Sequence, residues 1–507
     1  MNIYRYLLEG KEESNSAALL TPDRTYTYGE LARAATAISE LLVQSGSRKG
    51  DRALLLADNG FFWVAAYLGV LRAGLACVPL SPRSSGEEVR YICAATEARF
   101  ALLGSTAVDT LRSSHQDLFI IRESPSSSET SVTYERGARR RRSGKRVGPA
   151  TEMQPGDMAA LMFTSGSTGT PRGVVVSAGN IVANTESIVQ SLSLTVEDRI
   201  MAVLPFHYCF GTSLLHTHLR VGGSVVVEPR FLYADAVLRR MQQTECTGFA
   251  GVPSHYQILL RRSSIGSMQF PRLRYVQQAG GHLARPFIHD LRQILPEVQI
   301  YIMYGQTEAT ARLSCLPPDL LDRKIGSVGR GIPGVHLRVV DEAGHPVPPG
   351  QAGEIVAEGA NVALGYWRDP DETARRFRGG ALYTGDIATV DEDGFIYIVD
   401  RVSDFVKCGG QRVSCRYLED LLLESSALVE AAVIGVPDSI LGEAVKAFVV
   451  PRERSPNGYA EELMRICRSR LPPPLIPRRI VIVDALPKNA SGKVQKAALR
   501  QPRYSQL

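Results

Sequence analysis

Residues 164–174 read TSGSTGTPRGV, a run in which hydroxyl side chains alternate with glycines before the segment closes on Pro-Arg-Gly. Because glycine permits close approach of the backbone, successive N–H groups can point at one ligand, and the hydroxyls add further donors, as a polyphosphate requires. The segment follows the apolar run 158–163, so we expect it at the carboxyl end of a strand, where ligands of α/β sheets bind. On these residues alone, a phosphate-binding loop and a flexible surface turn are equally supported.

The elements that would position this loop alternate in type through the first two thirds of the chain. Predicted strands are 51–57, 77–80, 158–163, 223–228, 272–279 and 298–304, and predicted helices include 61–74, 234–243 and 284–295. From about Val335 the pattern becomes β-rich, and a final α+β segment begins near residue 403. The alternation predicts layered α/β structure with largely parallel sheets.

The composition is that of an ordinary globular chain, with 507 residues, 44% of them hydrophobic, and room for two or three domains. The formal net charge of +6 is mild for this length and does not indicate a nucleic-acid partner. The eight cysteines are scattered without a CxxC pair, which argues against a zinc site and favours reduced thiols. Neither a secretory signal nor an apolar run long enough to span a membrane is visible, so we expect a cytoplasmic protein.

One low-complexity segment, residues 123–149, is rich in Ser, Thr and Arg, and seven basic residues fall between Arg136 and Arg146. We interpret it as a solvated linker between subdomains. The alternative is a docking patch for an acidic partner or for phosphates. A nucleic-acid role is disfavoured, since no aromatic residues interleave with the arginines.

Seven further segments change the interpretation of the 164–174 loop. In chain order around it they are 71-LRAGLACVPLSP-82, 204-LPFHYCFG-211, 304-YGQTEA-309, 353-GEIVAEG-359, 383-YTGD-386, 401-RVSDFVKCGGQRV-413 and 487-PKNASGKV-494. This series covers nearly the whole chain and resembles the adenylate-forming superfamily. Its members include acyl-CoA synthetases, the adenylation domains of nonribosomal peptide synthetases, and beetle luciferases.

The resemblance implies an α/β fold with two parts. A large N-terminal domain, residues 1–402, would hold layered α/β sheets plus a β-rich subdomain, and a small mobile α+β domain would span residues 403–507. The implied reaction has two steps: a carboxylate attacks the α-phosphate of ATP to give acyl-AMP and pyrophosphate, and a thiol then captures the acyl group. We therefore expect ATP, Mg²⁺, a small carboxylic acid, and either CoA or the phosphopantetheine of an acidic acyl or peptidyl carrier protein.

The resemblance also assigns nucleotide-binding roles. Tyr304 would stack on adenine, Asp386 and Arg401 would hold the ribose hydroxyls, and Glu308 with Thr164 would bind Mg²⁺, a hard cation that prefers oxygen ligands. The remaining implied ATP contacts are Ser165, Gly166, Ser167, Thr168, Gly169, Thr170, Gly281, Gly305, Gln306 and Thr307. Lys493 would bridge the substrate carboxylate and the α-phosphate, as a flexible cation can follow developing charge.

The acyl and thiol sides of the implied site follow from the same motifs. The acyl wall would comprise His207, Tyr208, Phe210, Gly211, Val252, Gly280, Gly281 and Met303. His207 stands where amino-acid-activating relatives carry Asp, which disfavours an α-amino acid. Ser403 would be the hinge of the C-terminal domain, and Lys407, Gly409 and Gly410 would line the path of the pantetheine chain.

The leading hypothesis is an AMP-forming acid–thiol ligase that makes acyl-CoA, with Lys493, His207, Glu308 and Arg172 as its catalytic residues. Within this class, the alternative is a ligase that loads a carrier protein or another nucleophile. From a different class, the alternative is a non-catalytic nucleotide-binding relative. Arg172 stands where relatives usually carry Lys, so its phosphate contact is the least defined of these roles. We predict that Arg172→Lys retains most adenylation activity and that Arg172→Ala weakens ATP use.

Overall fold

The computed structural model describes residues 1–107, 118–123, 132–136, 149–165, 171–228, 231, 233–401, 405–408, 411–438, 441–453, 458–489, 492–501 and 504, with the backbone alone for 132–136, 165, 401, 411, 412 and 474. Up to the 164–174 loop the elements are α1 (Ile3–Leu8), β1 (Ala17–Leu20), β2 (Thr25–Thr27), α2 (Tyr28–Gln44), β3 (Arg52–Leu56), α3 (Phe61–Arg72), β4 (Ala76–Leu80), α4 (Gly86–Thr96), β5 (Phe100–Leu103), β6 (Phe119–Glu123), β7 (Val132–Arg136) and β8 (Met158–Ser165).

The middle of the chain continues the alternation of strands and helices. Its elements are β9 (Pro171–Ser177), α5 (Ala178–Leu192), β10 (Arg199–Ala202), α6 (Cys209–Val221), β11 (Ser224–Val227), α7 (Ala234–Gln243), β12 (Gly248–Gly251), α8 (Pro253–Arg262), β13 (Tyr275–Gln278), α9 (Arg285–Ile294) and β14 (Gln299–Tyr304). The last third contains β15 (Ser314–Leu316), β16 (Arg330–Gly331), β17 (Val335–Val340), β18 (Gly353–Gly359), α10 (Pro370–Arg376), β19 (Phe377–Arg378), β20 (Ala381–Val390), β21 (Ile396–Arg401), β22 (Phe405–Cys408), β23 (Gln411–Ser414), α11 (Cys415–Leu423), β24 (Leu428–Asp438), β25 (Gly442–Pro451), α12 (Tyr459–Arg470), β26 (Arg479–Ile482) and α13 (Lys496–Leu499).

Local sequence signals explain where several helices begin. The Thr27 side chain accepts the N–H of Glu30 at the start of α2, and the Glu30 side chain reciprocates to form a capping box. The Ser177–Asn180 pair does the same at the start of α5. Pro253 opens α8, a position where the missing N–H has no helical partner to lose.

Two sheets build the large domain. One has the strand order β16-β15-β14-β13-β12-β10-β11-β1-β2, and its inner strands are parallel. The other has the order β7-β6-β5-β3-β4-β8-β9, parallel except at the β6–β7 and β8–β9 pairs. The α/β class with largely parallel sheets is therefore confirmed.

A buried helix links this core to the predicted acyl segment. Trp63 of α3 is fully buried, stacks on Tyr67 with ring centroids 5.1 Å apart, and lies 5.3 Å from the ring of Phe206. The predicted helix at 61–74 is thus confirmed as a core element. Because Phe206 is anchored in this core, the following residue, His207, has a fixed position.

The chain beyond residue 335 is β-rich, as predicted. Strands β17, β18, β20, β19 and β21 form an antiparallel sheet, and β23-β22-β25-β24 with β26 form the sheet of the small domain. The predicted boundary near residue 403 falls on 402–404, outside the described residues. Of the predicted linker 123–149, residues 132–136 form β7 against β6, because the Val-Thr-Tyr run suits a strand. In the described residues, no helix has the length and apolarity needed to cross a membrane.

Candidate active site

Three loops that carry predicted site residues leave the same edge of the larger sheet. β12, β13 and β14 run parallel and in register, and the carboxyl ends of parallel strands meet at one edge. The loops that follow them, at Val252, Ala279 and Tyr304, are therefore neighbours. A Cβ added at Gly280 would lie 2.9 Å from Val252 Cγ1, which shows how tightly the first two loops pack.

The predicted adenine and ribose residues are brought together from two sheets. Tyr304, at the end of β14, donates its hydroxyl to Asp386 Oδ2 at 2.6 Å. Asp386 lies on β20 and is the register partner of Arg401 on β21. Asp386 is only 3% exposed, so the carboxylate is held in place by the protein. The side chain of Arg401 lies outside the described part of the chain.

The predicted phosphate loop is the turn of a β-hairpin. β8 and β9 pair antiparallel, with Thr164 opposite Arg172 and Ser165 opposite Pro171. The stem therefore enters and leaves the turn as an ordered pair of strands. The turn itself, residues 166–170, and the Ser165 side chain lie outside the described residues, so their predicted phosphate contacts stay predictions.

Arg172 lies beside this stem but is engaged by acidic residues at the start of α10. Its Nε donates to Asp369 Oδ2 at 3.1 Å, and its Nη1 lies 3.5 Å from Glu372 Oε1. The side chain is 24% exposed, so water screens these pairs only partly. A phosphate at the loop would compete with two carboxylates for this guanidinium.

The Glu308 side chain is linked to the β8–β9 hairpin through Tyr366, a residue that the motifs did not predict. Glu308 lies in the short turn Thr307–Ala309, and Tyr366 donates its hydroxyl to Glu308 Oε1 at 2.8 Å. The Tyr366 ring also lies 6.0 Å from the Arg172 guanidinium. Burial, together with the negative charge of Glu308, raises the pKa of Tyr366, so its hydroxyl stays a donor.

The rest of the YGQTE segment folds back on the chain that follows it. A Cβ on Gly305 would come within 1.9 Å of the Ala311 carbonyl oxygen, so this close approach requires glycine. Thr307 Oγ1 lies 3.5 Å from the Cys209 sulfur at the start of α6. The side-chain nitrogen of Gln306 is buried without a hydrogen-bond partner among the described residues.

The predicted acyl wall forms at the start of α6 and on β14. Tyr208 precedes the helix, Phe210 and Gly211 lie in its first turn, and Met303 is buried on β14. The His207 ring packs on Tyr208 with centroids 4.5 Å apart, and its Nε2 is buried without a partner among the described residues. Burial lowers the pKa of His207 to about 4, so the imidazole is neutral near pH 7.

The loop that carries Lys493 docks on this wall from the small domain. Ser254, in the first turn of α8, donates its hydroxyl to the Gly492 carbonyl oxygen at 2.8 Å. Asn489 shapes the loop, since its side chain accepts the Lys493 N–H at 3.0 Å. Lys493 itself is exposed. The backbone of the loop that carries Lys493 thus contacts the start of α8, which follows β12 at the edge from which the site loops leave.

A second contact between the two domains centres on His282 in the loop after β13. His282 Nε2 lies 2.7 Å from Asp420 Oδ1 of α11, and Arg416 contacts Nδ1 of the same ring. Burial and the charges of Arg416 and Arg285 lower the pKa of His282, while Asp420 raises it. With a neutral ring, Nε2–H donates to the carboxylate and Nδ1 accepts from the guanidinium.

The predicted thiol side is described only in part. Lys407 is exposed on β22, and its backbone N–H donates to Glu443 Oε2 at 2.7 Å. Ser403, Gly409 and Gly410 lie outside the described residues. Their hinge and pantetheine roles stay predictions.

Sequence reasoning missed Tyr366, the Ser254–Gly492 contact and Arg312. Arg312 lies four residues after Glu308, in the small-residue run Ala-Thr-Ala-Arg, and a lone arginine there was a readable signal. Tyr366 and Ser254 carried no such signal, because their partners are distant in the chain.

Two family models match the chain: AMP-binding enzyme over residues 9–367, and AMP-binding enzyme C-terminal domain over residues 417–493. The chain belongs to the AMP-binding enzyme family. It is 31% identical over 485 residues to a feruloyl-CoA synthase of Amycolatopsis sp, with 94% of this chain and 93% of that protein covered. It is 30% identical over 499 residues to an indoleacetate–CoA ligase of Aromatoleum aromaticum, with 96% and 95% covered.

Solved structures with acyl-adenylate or ATP bound share the fold. The o-succinylbenzoate CoA synthetase from Bacillus subtilis, in complex with its acyl-adenylate intermediate, aligns with TM-score 0.83 and 27% identity, covering 98% of both chains. ATP-bound MatB from Rhodopseudomonas palustris aligns with TM-score 0.87 and 26% identity, covering 99% of both chains. The predicted fold, with a large and a small domain, and the predicted class of AMP-forming acid–thiol ligase using ATP, Mg²⁺ and CoA are confirmed.

Proposed function

We propose that this enzyme activates an aromatic carboxylic acid as its acyl-adenylate and transfers the acyl group to CoA, using the residues predicted from its motifs. The observation that carries the residue roles is the docking of the Lys493 loop on Ser254. This contact holds the backbone next to Lys493 against the start of α8, which supports a role for Lys493 at the sheet edge that carries the YGQTE segment. Displacement at phosphorus needs charge neutralisation and in-line positioning rather than covalent chemistry, and such an edge supplies both.

The nucleotide would be held by the Tyr304–Asp386 pair and by the hairpin loop. The Tyr304 hydroxyl fixes the Asp386 carboxylate, and a carboxylate is a suitable acceptor for ribose hydroxyls. The Glu308 carboxylate and the Thr164 hydroxyl are hard oxygen donors of the kind that Mg²⁺ prefers. When bound, Mg²⁺ neutralises charge on the phosphates during displacement. Lys493 would then bridge the attacking carboxylate and the α-phosphate.

The acid is proposed to be aromatic for two reasons. The wall presents Tyr208 and Phe210, whose rings suit stacking and edge contacts with another ring. The relatives named above act on ferulate and indoleacetate, and a further structural match, with TM-score 0.87 and 26% identity, is an anthranilate CoA ligase. A neutral His207 supports the prediction that no ammonium group is recognised at this point, since it offers no negative charge.

CoA is the acceptor, as for the CoA-ligase relatives. A phosphopantetheinylated carrier protein presents the same thiol arm, and we propose that the enzyme prefers CoA to it. Offering both acceptors to the charged enzyme tests this preference: faster capture by the carrier protein would overturn it.

Pyrophosphate exchange with aromatic and aliphatic acids tests the function, with Lys493→Ala as the diagnostic variant. We expect Lys493→Ala to lose exchange by at least about 100-fold, as for loss of one transition-state contact. Thioester formation from pre-made acyl-AMP should be spared. Arg500→Ala, which removes an exposed cation of the same small domain, is the matched control and should behave like wild type. Equal losses in both half-reactions would refute the role of Lys493. No exchange with any acid, from folded protein that binds ATP, would refute the function.

A further inference from the structure

Arg312 is a buried cation without a carboxylate partner. It is 2% exposed, and in the described part of the chain no Asp or Glu forms an ion pair with it. Its Nη2 is buried and has no hydrogen-bond partner among the described residues. Burial lowers the pKa of Arg312 to about 10, so the guanidinium stays charged at neutral pH.

The groups that Arg312 does contact compensate poorly for burial of its charge. Nη1 contacts the Met303 sulfur, a weak acceptor. The Phe210 ring lies 5.3 Å from the guanidinium carbon. A cation–ring contact of this kind is weaker than the penalty for burying an unpaired ion. A buried cation without a paired carboxylate in the polypeptide is expected to have its partner in a bound ligand.

The backbone of Arg312 is held rigidly. Its carbonyl oxygen accepts from the side-chain amides of Asn184 and Asn361, both at 2.9 Å. The close approach of Gly305 to Ala311 fixes the preceding residue as well. The guanidinium is therefore presented by an ordered scaffold, as a recognition group must be.

Two side-chain neighbours of the guanidinium, Phe210 and Met303, belong to the predicted acyl wall. A ligand that reaches Nη2 would thus come from the acyl side of the site. A carboxylate is the natural complement, since it can take two parallel N–H donors from a planar guanidinium.

We propose that the acid activated by this enzyme carries a second carboxylate, remote from the reacting one, and that Arg312 binds it. This inference rests on the proposed function and narrows its substrate class to aromatic dicarboxylic acids. Arg312 acts as a specificity-determining residue, because it recognises a part of the substrate that takes no part in the reaction.

The test compares acids that differ only in the remote charge. The probes are phthalate, isophthalate and terephthalate, their homologues lengthened by one methylene, and the monomethyl ester of each. Pyrophosphate exchange gives kcat/KM for wild type, Arg312→Met and Arg312→Lys. Methionine is apolar and of similar length, and replacing a buried ion by a hydrophobic group is often neutral for folding.

We expect wild type to prefer at least one diacid over its ester by about 100-fold, the scale for a buried charge-assisted contact. Arg312→Met should lose this preference while keeping its activity toward the ester, and Arg312→Lys should keep part of it. Arg274→Met is the matched control, because Arg274 is paired with Asp198 at 2.9 Å away from the acyl wall. The ratio of kcat/KM for the diacid to kcat/KM for the ester should be the same in Arg274→Met as in wild type.

Three outcomes would overturn the inference while leaving the proposed function standing. Wild type could activate monocarboxylic acids without preferring any diacid. Arg312→Met could lose activity toward diacid and ester equally, which would indicate contact with the reacting carboxylate or a structural role. A preference of wild type for acids with a neutral hydrogen-bond acceptor over the diacids would show that the group bound by Arg312 is uncharged. Should Arg312→Met fail to fold, the wild-type preference alone decides the question.

Discussion

Gly492 offers a direct test of how the small domain delivers Lys493 to the site. Its carbonyl oxygen accepts the Ser254 hydroxyl, and its φ is +83°. A Cβ at this position would lie 3.1 Å from Ser254 Oγ, 3.2 Å from Val252 Cγ2 and 3.4 Å from His255 Nε2. Gly492→Ala therefore places a methyl group into the contact between the two domains.

The size of the effect on docking follows from two contributions, crowding at the contact and a weakened hydrogen bond. Holding alanine at positive φ costs about 1–2 kcal/mol, but this acts on folding of the loop and not on docking. Crowding at the contact costs about 1–3 kcal/mol, and weakening one hydrogen bond adds about 0.5–1.5 kcal/mol. Because each 1.4 kcal/mol is about tenfold in an equilibrium, docking should fall by roughly tenfold to a thousandfold.

Gly458 provides the matched control for the backbone contribution. Its φ is +95°, and an added Cβ would have nothing within 4 Å. Pyrophosphate exchange should fall by roughly tenfold or more in Gly492→Ala and stay near wild type in Gly458→Ala. Thioester formation from pre-made acyl-AMP should be unchanged in both. Equal exchange rates in the two variants, or equal losses in both half-reactions, would refute the docking argument.

Two further predictions follow from contacts in the site. Tyr304→Phe removes the donor to the buried Asp386 carboxylate and should raise KM for ATP by about tenfold, as measured by exchange kinetics; an unchanged KM would contradict the ribose assignment. Burial and the Arg416 charge hold the pKa of His282 below its unfolded value of about 6.5, so the contact of its neutral Nδ1 with Arg416 is fully present above that pH and is lost as the pH falls through the folded pKa, while Nε2–H keeps its bond to Asp420. The rate of pyrophosphate exchange should therefore decline below about pH 6.5 in wild type but not in His282→Gln, whereas thioester formation from pre-made acyl-AMP serves as the reference. Identical pH profiles in the two proteins would show that His282 does not control docking of the small domain.

Much of the site was predictable because its motifs are local. A run of glycines and hydroxyls after an apolar strand is compatible with a phosphate loop, the companion motifs favour that interpretation, and β8 is the strand expected before it. Strand and helix boundaries also followed from local periodicity: the predicted helix 234–243 coincides with α7. The β7 strand inside the predicted linker was missed, since five residues among many polar ones give a weak signal.

The contacts within the site were not predictable in the same way. Arg172 could be placed next to the phosphate loop, but its pairing with Asp369 depends on where α10 packs, 197 residues along the chain. The His282–Asp420 contact likewise depends on how the small domain sits on the large one. No local pattern encodes such pairs, because they arise when distant segments pack against each other.

The sequence by itself determined the family and the reaction class and predicted the ATP-site residues, because the motifs are short local runs in a fixed order along the chain. The tertiary structure alone decided which of those residues share contacts. It placed the Tyr304 hydroxyl against Asp386, 82 residues away in the chain, and it left Arg312 buried beside Phe210 with no carboxylate paired to it among the described residues. The physical reason is that burial and charge pairing are properties of the packed chain. The same arginine is a lone charge in a run of small residues in the sequence, and it becomes a candidate substrate-binding group only once packing has removed water from around it.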